Sequence, residues 1–233
     1  MIEFGSTLLG VENADSDLDV LVTTFDCLYE RIRFYQVLEA KLKLIDGVSN
    51  FIAVKTANIP LAKFSLNGVK FDLVFADMQT PHQIYRNVAE HPHFDMTPEY
   101  LILEENVGVG NLKSAECLNS YMSVLSLKRE IEKLQPQIEE KNLLIFSQVT
   151  LLIKMWAKRR GIYNYNLGYL NGISIMILVV KAMQQFYQTQ GKHHVRSLIL
   201  NHFSHFRQLI VEFFFNLYAD WPWDDVSFKD RAV

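Results

Sequence analysis

Residues 4–22 read Phe-Gly-Ser-Thr-Leu-Leu-Gly-Val-Glu-Asn-Ala-Asp-Ser-Asp-Leu-Asp-Val-Leu-Val. Two carboxylates, Asp17 and Asp19, stand two residues apart at the start of an apolar run. Side chains at i and i+2 of a strand share a face, so both aim together while Leu18 turns away. A third candidate, Asp72, sits in Val-Lys-Phe-Asp-Leu-Val-Phe, where Phe71 and Leu73 on the opposite face would anchor it in a core. Carboxylates brought together from separate strands are hard oxygen ligands of the kind Mg²⁺ prefers. A pair of such ions activates an attacking hydroxyl and stabilises a leaving pyrophosphate, which is the chemistry of phosphoryl transfer. Gly5-Ser6 suits the same site. Glycine lets backbone approach a phosphate, and amides at a helix start favour an anion. A competing reading of Asp-Ser-Asp-Leu-Asp is a solvated, capped turn. Asp15, within Asn13-Ala14-Asp15-Ser16, belongs to that turn.

The elements that must hold these residues can be read from periodicity. Asp19–Thr24 is a short buried strand. Leu28–Leu44 has apolar residues at helical spacing. Phe51–Lys55 reads as a strand. Ala62–Leu66 and Val69–Phe75 flank Asn67-Gly68, whose tolerance of positive φ makes it a strong hairpin signal, so Asp72 lies on the second arm. Residues 77–112 read as a loop-rich connection with one short helix. Leu125–Glu140 is charge-dense and interrupted by Pro136, which suggests two helical pieces. Asn142–Arg160 and Gly172–Tyr187 read as helices, and Val195–Ala219 as a third helical region stopped by Asp220-Trp221-Pro222-Trp223. The expected class is α+β, a mixed β-sheet with flanking helices followed by an all-helical region. The change of character puts the boundary near residue 112, giving domains 1–112 and 113–233.

Composition narrows the classes. The chain has 233 residues, 49% hydrophobic and 21% charged, which is globular rather than disordered. A formal net charge of −3 argues against a protein that grips nucleic acid over its whole surface. No apolar run reaches the ~18 residues of a membrane span and no leader pattern opens the chain, so a soluble protein is expected. Cys27 and Cys117 show no ligand spacing and read as buried free thiols in a reducing compartment. The seven histidines show no ligand pattern and read as surface or capping residues; Trp156 reads as core packing.

Gly-Ser, a following Asp-x-Asp and a later strand aspartate together resemble the DNA polymerase β-type nucleotidyltransferase superfamily, and within it the eukaryotic poly(A) polymerases. Ile153-Lys154-Met155-Trp156-Ala157-Lys158-Arg159-Arg160-Gly161-Ile162-Tyr163 resembles that family's Lys-Leu-Trp-Ala-Lys-Arg segment with its later tyrosine. Leu167-Gly168-Tyr169-Leu170-Asn171-Gly172-Ile173-Ser174 resembles Gly-Phe-x-Gly-Gly-Val, and Cys117-Leu118-Asn119 resembles Ser-Leu-Asn-Gly. Phe213 through Trp223 is similar to the aromatic run closing the family's central domain.

The resemblance implies a nucleotidyltransferase domain and a helical central domain. Asp17, Asp19 and Asp72 would be the catalytic, metal-binding carboxylates. Phe4, Gly5, Ser6, Asn13, Asn119, Lys154, Tyr163, Gly172 and Ile173 would contact the nucleotide. Read without the family, Lys154 fits a surface lysine on an amphipathic helix and Tyr163 a residue covering a core. The implied activity is template-independent addition of AMP from ATP to an RNA 3′ end, with Mg²⁺ or Mn²⁺ and release of pyrophosphate. Terminal uridylyl transfer, addition of another nucleotide, and a non-catalytic role in an RNA-processing assembly are the alternatives. A nuclear location follows from the same resemblance, and RNA-processing proteins would supply the RNA-binding surface that the family has; the expectation of no membrane partner comes from the hydropathy instead. Six departures stand out: the family's segment before Gly-Ser and its C-terminal RNA-binding domain are expected to lack counterparts, Thr7-Leu8 stands about where the family has Tyr-Arg, Asn171-Gly172 replaces Gly-Gly, and Ser120 and Met122 replace a glycine and an arginine.

Overall fold

The computed structural model describes residues 2–3, 5–12, 16–25, 31–54, 61–79, 108–109 and 112–223. The chain packs as two units. The first comprises residues 1–8 and 12–125, and the second residues 9–11 and 126–233. The division falls inside a continuous helix, beyond the residue-112 boundary that composition suggests.

The first unit is built on a six-stranded mixed sheet. Its strands are β1 (Ile2–Glu3), β2 (Leu18–Phe25), β3 (Val48–Val54), β4 (Leu61–Leu66), β5 (Val69–Gln79) and β6 (Gly108–Val109). The order is β1-β2-β5-β4-β3, with β6 on the far end of β5. β2 and β5 run parallel, with Leu18 opposite Phe71 and Asp19 opposite Asp72. β4 and β5 form the expected hairpin, Leu66 opposite Val69. Asn67 and Gly68 both take positive φ, 50° and 85°, the backbone that a two-residue turn between twisted strands requires.

Helix α1 (Arg31–Leu42) covers one face of this sheet. Tyr35 and Leu42 on α1 join Ala62, Phe64, Leu73 and Phe75 in a buried cluster, with Val22, Phe34 and Phe71 packed against it. Phe34 stacks on Phe75 at 4.2 Å and Phe64 on Phe71 at 5.1 Å. Residues alternate across a strand, so burying Phe71 and Leu73 against α1 turns Asp72 to the opposite face. Two expectations needed extension. β3 begins at Val48, before the expected Phe51, its register shifting between Ser49 and Ile52 where Asn50 takes φ 56°. β5 runs to Gln79 and pairs with β6 where a loop was expected, because cross-strand bonding holds a segment whose own periodicity is weak.

The second unit is helical, with α3 (Glu139–Arg159), α4 (Gly172–Gln190), α5 (Lys192–Asn201) and α6 (Phe203–Ala219), fed by α2 (Leu112–Leu134). Pro136 breaks α2 from α3 through a short 3₁₀ turn; the preceding Gln135 is extended at φ −149° and ψ 96°, as steric clash with a proline ring demands. The core gathers Ile145, Phe146, Val149 and Ile153 of α3, Ile175, Val179 and Met183 of α4, Val195 and Ile199 of α5, and Phe206, Ile210 and Phe214 of α6. One polar network is buried within it. Tyr187 Oη donates to Asn142 Oδ1 at 2.8 Å, and Asn142 Nδ2 donates to the Gln135 carbonyl at 3.1 Å.

The region expected at 195–219 is two helices, split at His202, whose φ of −139° and ψ of 48° leave the helical range. Trp156 differs from its expected core role. It is 39% exposed and meets Phe215 edge-on at 4.8 Å, because Ile153 and Ala157 occupy the inward face of α3. His193, His194, His202 and His205 are exposed as expected, while His82, His91, His93, Cys27 and the Cys117 side chain lie outside the described residues. Among the described residues no helix is long and apolar enough to cross a membrane.

Candidate active site

In the first unit the sheet register assembles the carboxylates. Asp19 and Asp72 are direct neighbours on the parallel strands β2 and β5. Asp17 lies just before β2 and adds its negative charge to the field at Asp19. The Asp19 carboxyl is pushed up to about 6. Burial contributes most, followed by the charges of Asp72 and then Asp17; a hydrogen bond from the Ser6 backbone N–H and the charge of Lys63 pull the other way. Like charges held together while partly desolvated disfavour ionisation. Such clustering has no packing benefit, and strongly perturbed carboxylates concentrate where a site takes a cation or a proton.

Gly5 is required here twice over. Its φ is +66°, and a Cβ at this position would land on the Asp19 carboxylate, 2.8 Å from the carboxyl carbon. A short 3₁₀ turn, Thr7–Leu9, follows and ends at Gly10 with φ 62°. The Gly-Ser backbone therefore lies against Asp19, and the Ser6 amide expected to meet a phosphate donates to that carboxylate.

Lys63 is a member of the site that motif reading missed. It sits opposite Asp72 on β4, and its Nζ forms an ion pair with Asp72 Oδ2. The signal was available: a two-residue Asn67-Gly68 turn pairs 66 with 69, and counting back pairs 63 with 72. Across the sheet the order of charges is thus Asp19, Asp72, Lys63. Among the described residues no three Asp, Glu, His or Cys side chains converge as a ready ion cage. The donor chemistry nonetheless fits a hard divalent cation, with short carboxylates on one face and a negative field at Asp19 that such a charge would relieve.

A second cluster lies wholly within the helical unit. Lys154 on α3 donates from Nζ to the carbonyl of Val11 at 3.2 Å. Tyr163 follows the end of α3, its hydroxyl shifted upward by burial, with Lys158 Nζ 5.4 Å from its ring centre. Gly172 opens α4. A Cβ there would stand 3.1 Å from Tyr163 Oη and 3.7 Å from Lys154 Cε, so three residues separated in sequence meet at a point where only glycine fits without displacement. Ile173 follows on the same first turn, half-buried. Asn171 caps the helix, its Oδ1 accepting from Ser174 N at 2.9 Å and Ser174 Oγ at 2.8 Å. Its backbone, φ −99° and ψ −177°, is open to any residue, which explains why no glycine is needed where the family pattern has one. Asn119 falls within α2, on a stretch whose side chains are not described; Phe4 and Asn13 lie outside the described residues.

Comparison with known proteins decides the family. The poly(A) polymerase nucleotidyltransferase domain matches residues 1–87, and the poly(A) polymerase central domain matches residues 145–230. The chain belongs to the eukaryotic poly(A) polymerase-type nucleotidyltransferases. It is 28% identical to the poly(A) polymerase pla1 of Schizosaccharomyces pombe over 94% of this chain and 32% of that protein. It is 24% identical to the nuclear poly(A) polymerase 4 of Arabidopsis thaliana over 94% of this chain and 25% of that one. The chain therefore spans a third or less of the length of these relatives. Among solved structures, the polymerase core of TRAMP, an RNA surveillance complex, shares the fold with a TM-score of 0.50 and 21% identity, covering 96% of this chain and 53% of that one.

Proposed function

We propose that this member of the poly(A) polymerase-type family is a template-independent adenylyltransferase, adding AMP from ATP to an RNA 3′ hydroxyl and releasing pyrophosphate. The observation that carries this reading is the register of Asp19 against Asp72, with Asp17 beside them and the Gly5-Ser6 backbone at Asp19. Asp17 and Asp19 would hold two Mg²⁺ ions, or Mn²⁺, and Asp72 would share the ion nearest the 3′ hydroxyl. When bound, the cations neutralise phosphate charge and make the hydroxyl a better nucleophile. The hydroxyl gives up its proton to solvent as its oxygen bonds to the α-phosphorus, the bond from that phosphorus to the oxygen bridging the α- and β-phosphates breaks, and pyrophosphate leaves with that oxygen. Gly5 provides backbone room at Asp19. Lys154 would give a compact positive charge to phosphate, while Tyr163, Gly172 and Ile173 would take the rest of the nucleotide.

The relatives' names supply the adenylyl specificity and, for one of them, the nuclear location; both are proposals for this chain, as are an RNA 3′ end as acceptor and RNA-processing proteins as partners. Extension of a labelled RNA with each of the four NTPs and Mg²⁺ or Mn²⁺ tests the reading. ATP should be used preferentially, and Asp19→Ala should lower incorporation by about 10² to 10³, the scale of losing one strong electrostatic stabiliser. Preferred incorporation of UTP would reassign the specificity, and undiminished activity of the variant would remove the assignment of the carboxylates.

A further inference from the structure

We propose that Lys63 is a built-in counter-ion of the carboxylate cluster, holding Asp72 while no divalent cation is bound and leaving it when a cation is shared between Asp72 and Asp19. This rests on the reading of those carboxylates as cation ligands. Two independent registers meet at Asp72. The parallel pairing with β2 puts Asp19 on one side, and the hairpin with β4 puts Lys63 on the other. The Lys63 ammonium is paired with Asp72 Oδ2 and also moderates the field at Asp19.

The two partners differ in their freedom to move. The Lys63 side chain is 45% exposed and that of Asp72 22%. A lysine on a four-carbon stem can swing its charge into water at little cost, whereas the short side chain of Asp72 stays where its strand puts it. An ammonium and a divalent ion at one carboxylate repel each other, and the ion of charge two has the stronger claim on hard oxygen. Lys63 is accordingly a positioning residue whose charge sets how readily the cluster takes a cation.

The test uses the full chain with Mn²⁺ alone, without nucleotide or RNA, following unbound Mn²⁺ by its electron paramagnetic resonance signal. Lys63→Met keeps the apolar stem and removes the charge. It should tighten Mn²⁺ binding about tenfold, while Lys63→Arg stays within about twofold of the parent, because the effect is one of charge repulsion at short range. The difference between parent and Lys63→Met should vanish in an Asp72→Asn background. Equal or weaker Mn²⁺ binding by Lys63→Met, with circular dichroism unchanged, overturns the proposal; if that variant fails to fold, Lys63→Gln gives the same readout. Asp19→Asn separates the two levels. If it leaves Mn²⁺ binding intact, the cation-ligand reading itself falls and this inference with it. If it abolishes binding while removal of the Lys63 charge changes nothing, Lys63 alone loses its role.

Discussion

The sheet unit and the helical unit place their polar side chains by different means. In the sheet, backbone pairing dictates the neighbours. Asp19 and Asp72 are adjacent because β2 and β5 are in register, although the fold gains nothing electrostatically from the contact. The cost is visible in the Asp19 carboxyl, held near 6. In the helical unit, several polar groups meet partners that answer them: Lys154 a carbonyl, Asn171 the open amide of a helix start, Tyr187 the amide of Asn142. Strand register can hold like charges together, whereas helix ends tend to accept polar groups that answer an unpaired backbone group. The electrostatically unfavourable cluster therefore marks where a ligand is expected.

Substitutions can break this contrast. The largest effect on folding is expected in the helical core. Phe146 is fully buried, and Phe146→Ala should lower unfolding free energy by about 3–5 kcal/mol, read by denaturant titration. Gly5→Ala in the sheet unit should cost about 1–3 kcal/mol, since the residue would be strained at φ +66° and its Cβ would displace Asp19; loss of incorporation should exceed what the stability change explains. Gly172→Ala should be milder for stability. Its Cβ would meet Tyr163 Oη at 3.1 Å in a conformation alanine adopts easily, so a rise in the KM for ATP with unfolding little changed is the expected pattern. An unchanged KM would detach that trio from the nucleotide.

The smallest effect is the one that sharpens the comparison most. The folded state holds the Asp19 proton more tightly than the unfolded chain, with a value of about 6 against 3.8. Between those values the folded state binds more protons, so stability falls as pH rises from about 4 to about 6. Partial solvent exposure tempers the size of that slope. Thermal unfolding of Asp19→Asn across this window, in chelator to remove divalent cations, should lack that contribution. An identical pH slope in parent and variant would show that Asp19 is not under the strain described.

Much of the candidate site was legible along the chain. Asp17, Asp19 and Asp72 stood out because alternation in strands is a local rule, and Asn67-Gly68 announced its own turn. Lys63 was equally legible and was missed, because a motif search looks along the chain whereas a hairpin register must be counted across it. Trp156 misled because a large aromatic residue on an apolar helix suggests a core, and only the packing of α3 shows which stripe faces inward. β6 was illegible, since a two-residue strand exists by virtue of its partner.

Sequence alone determined the types of group available, the turns, the helix breaks and the family pattern that runs through the chain, because these depend on side chains within a few residues of one another. Tertiary structure decided that Asp72 lies between an anion and a cation, that Gly5 presses on Asp19, and that Lys154, Tyr163 and Gly172 meet. Those relations join residues far apart along the chain, and only pairing of strands and packing of helices brings them within reach of each other's charge and volume.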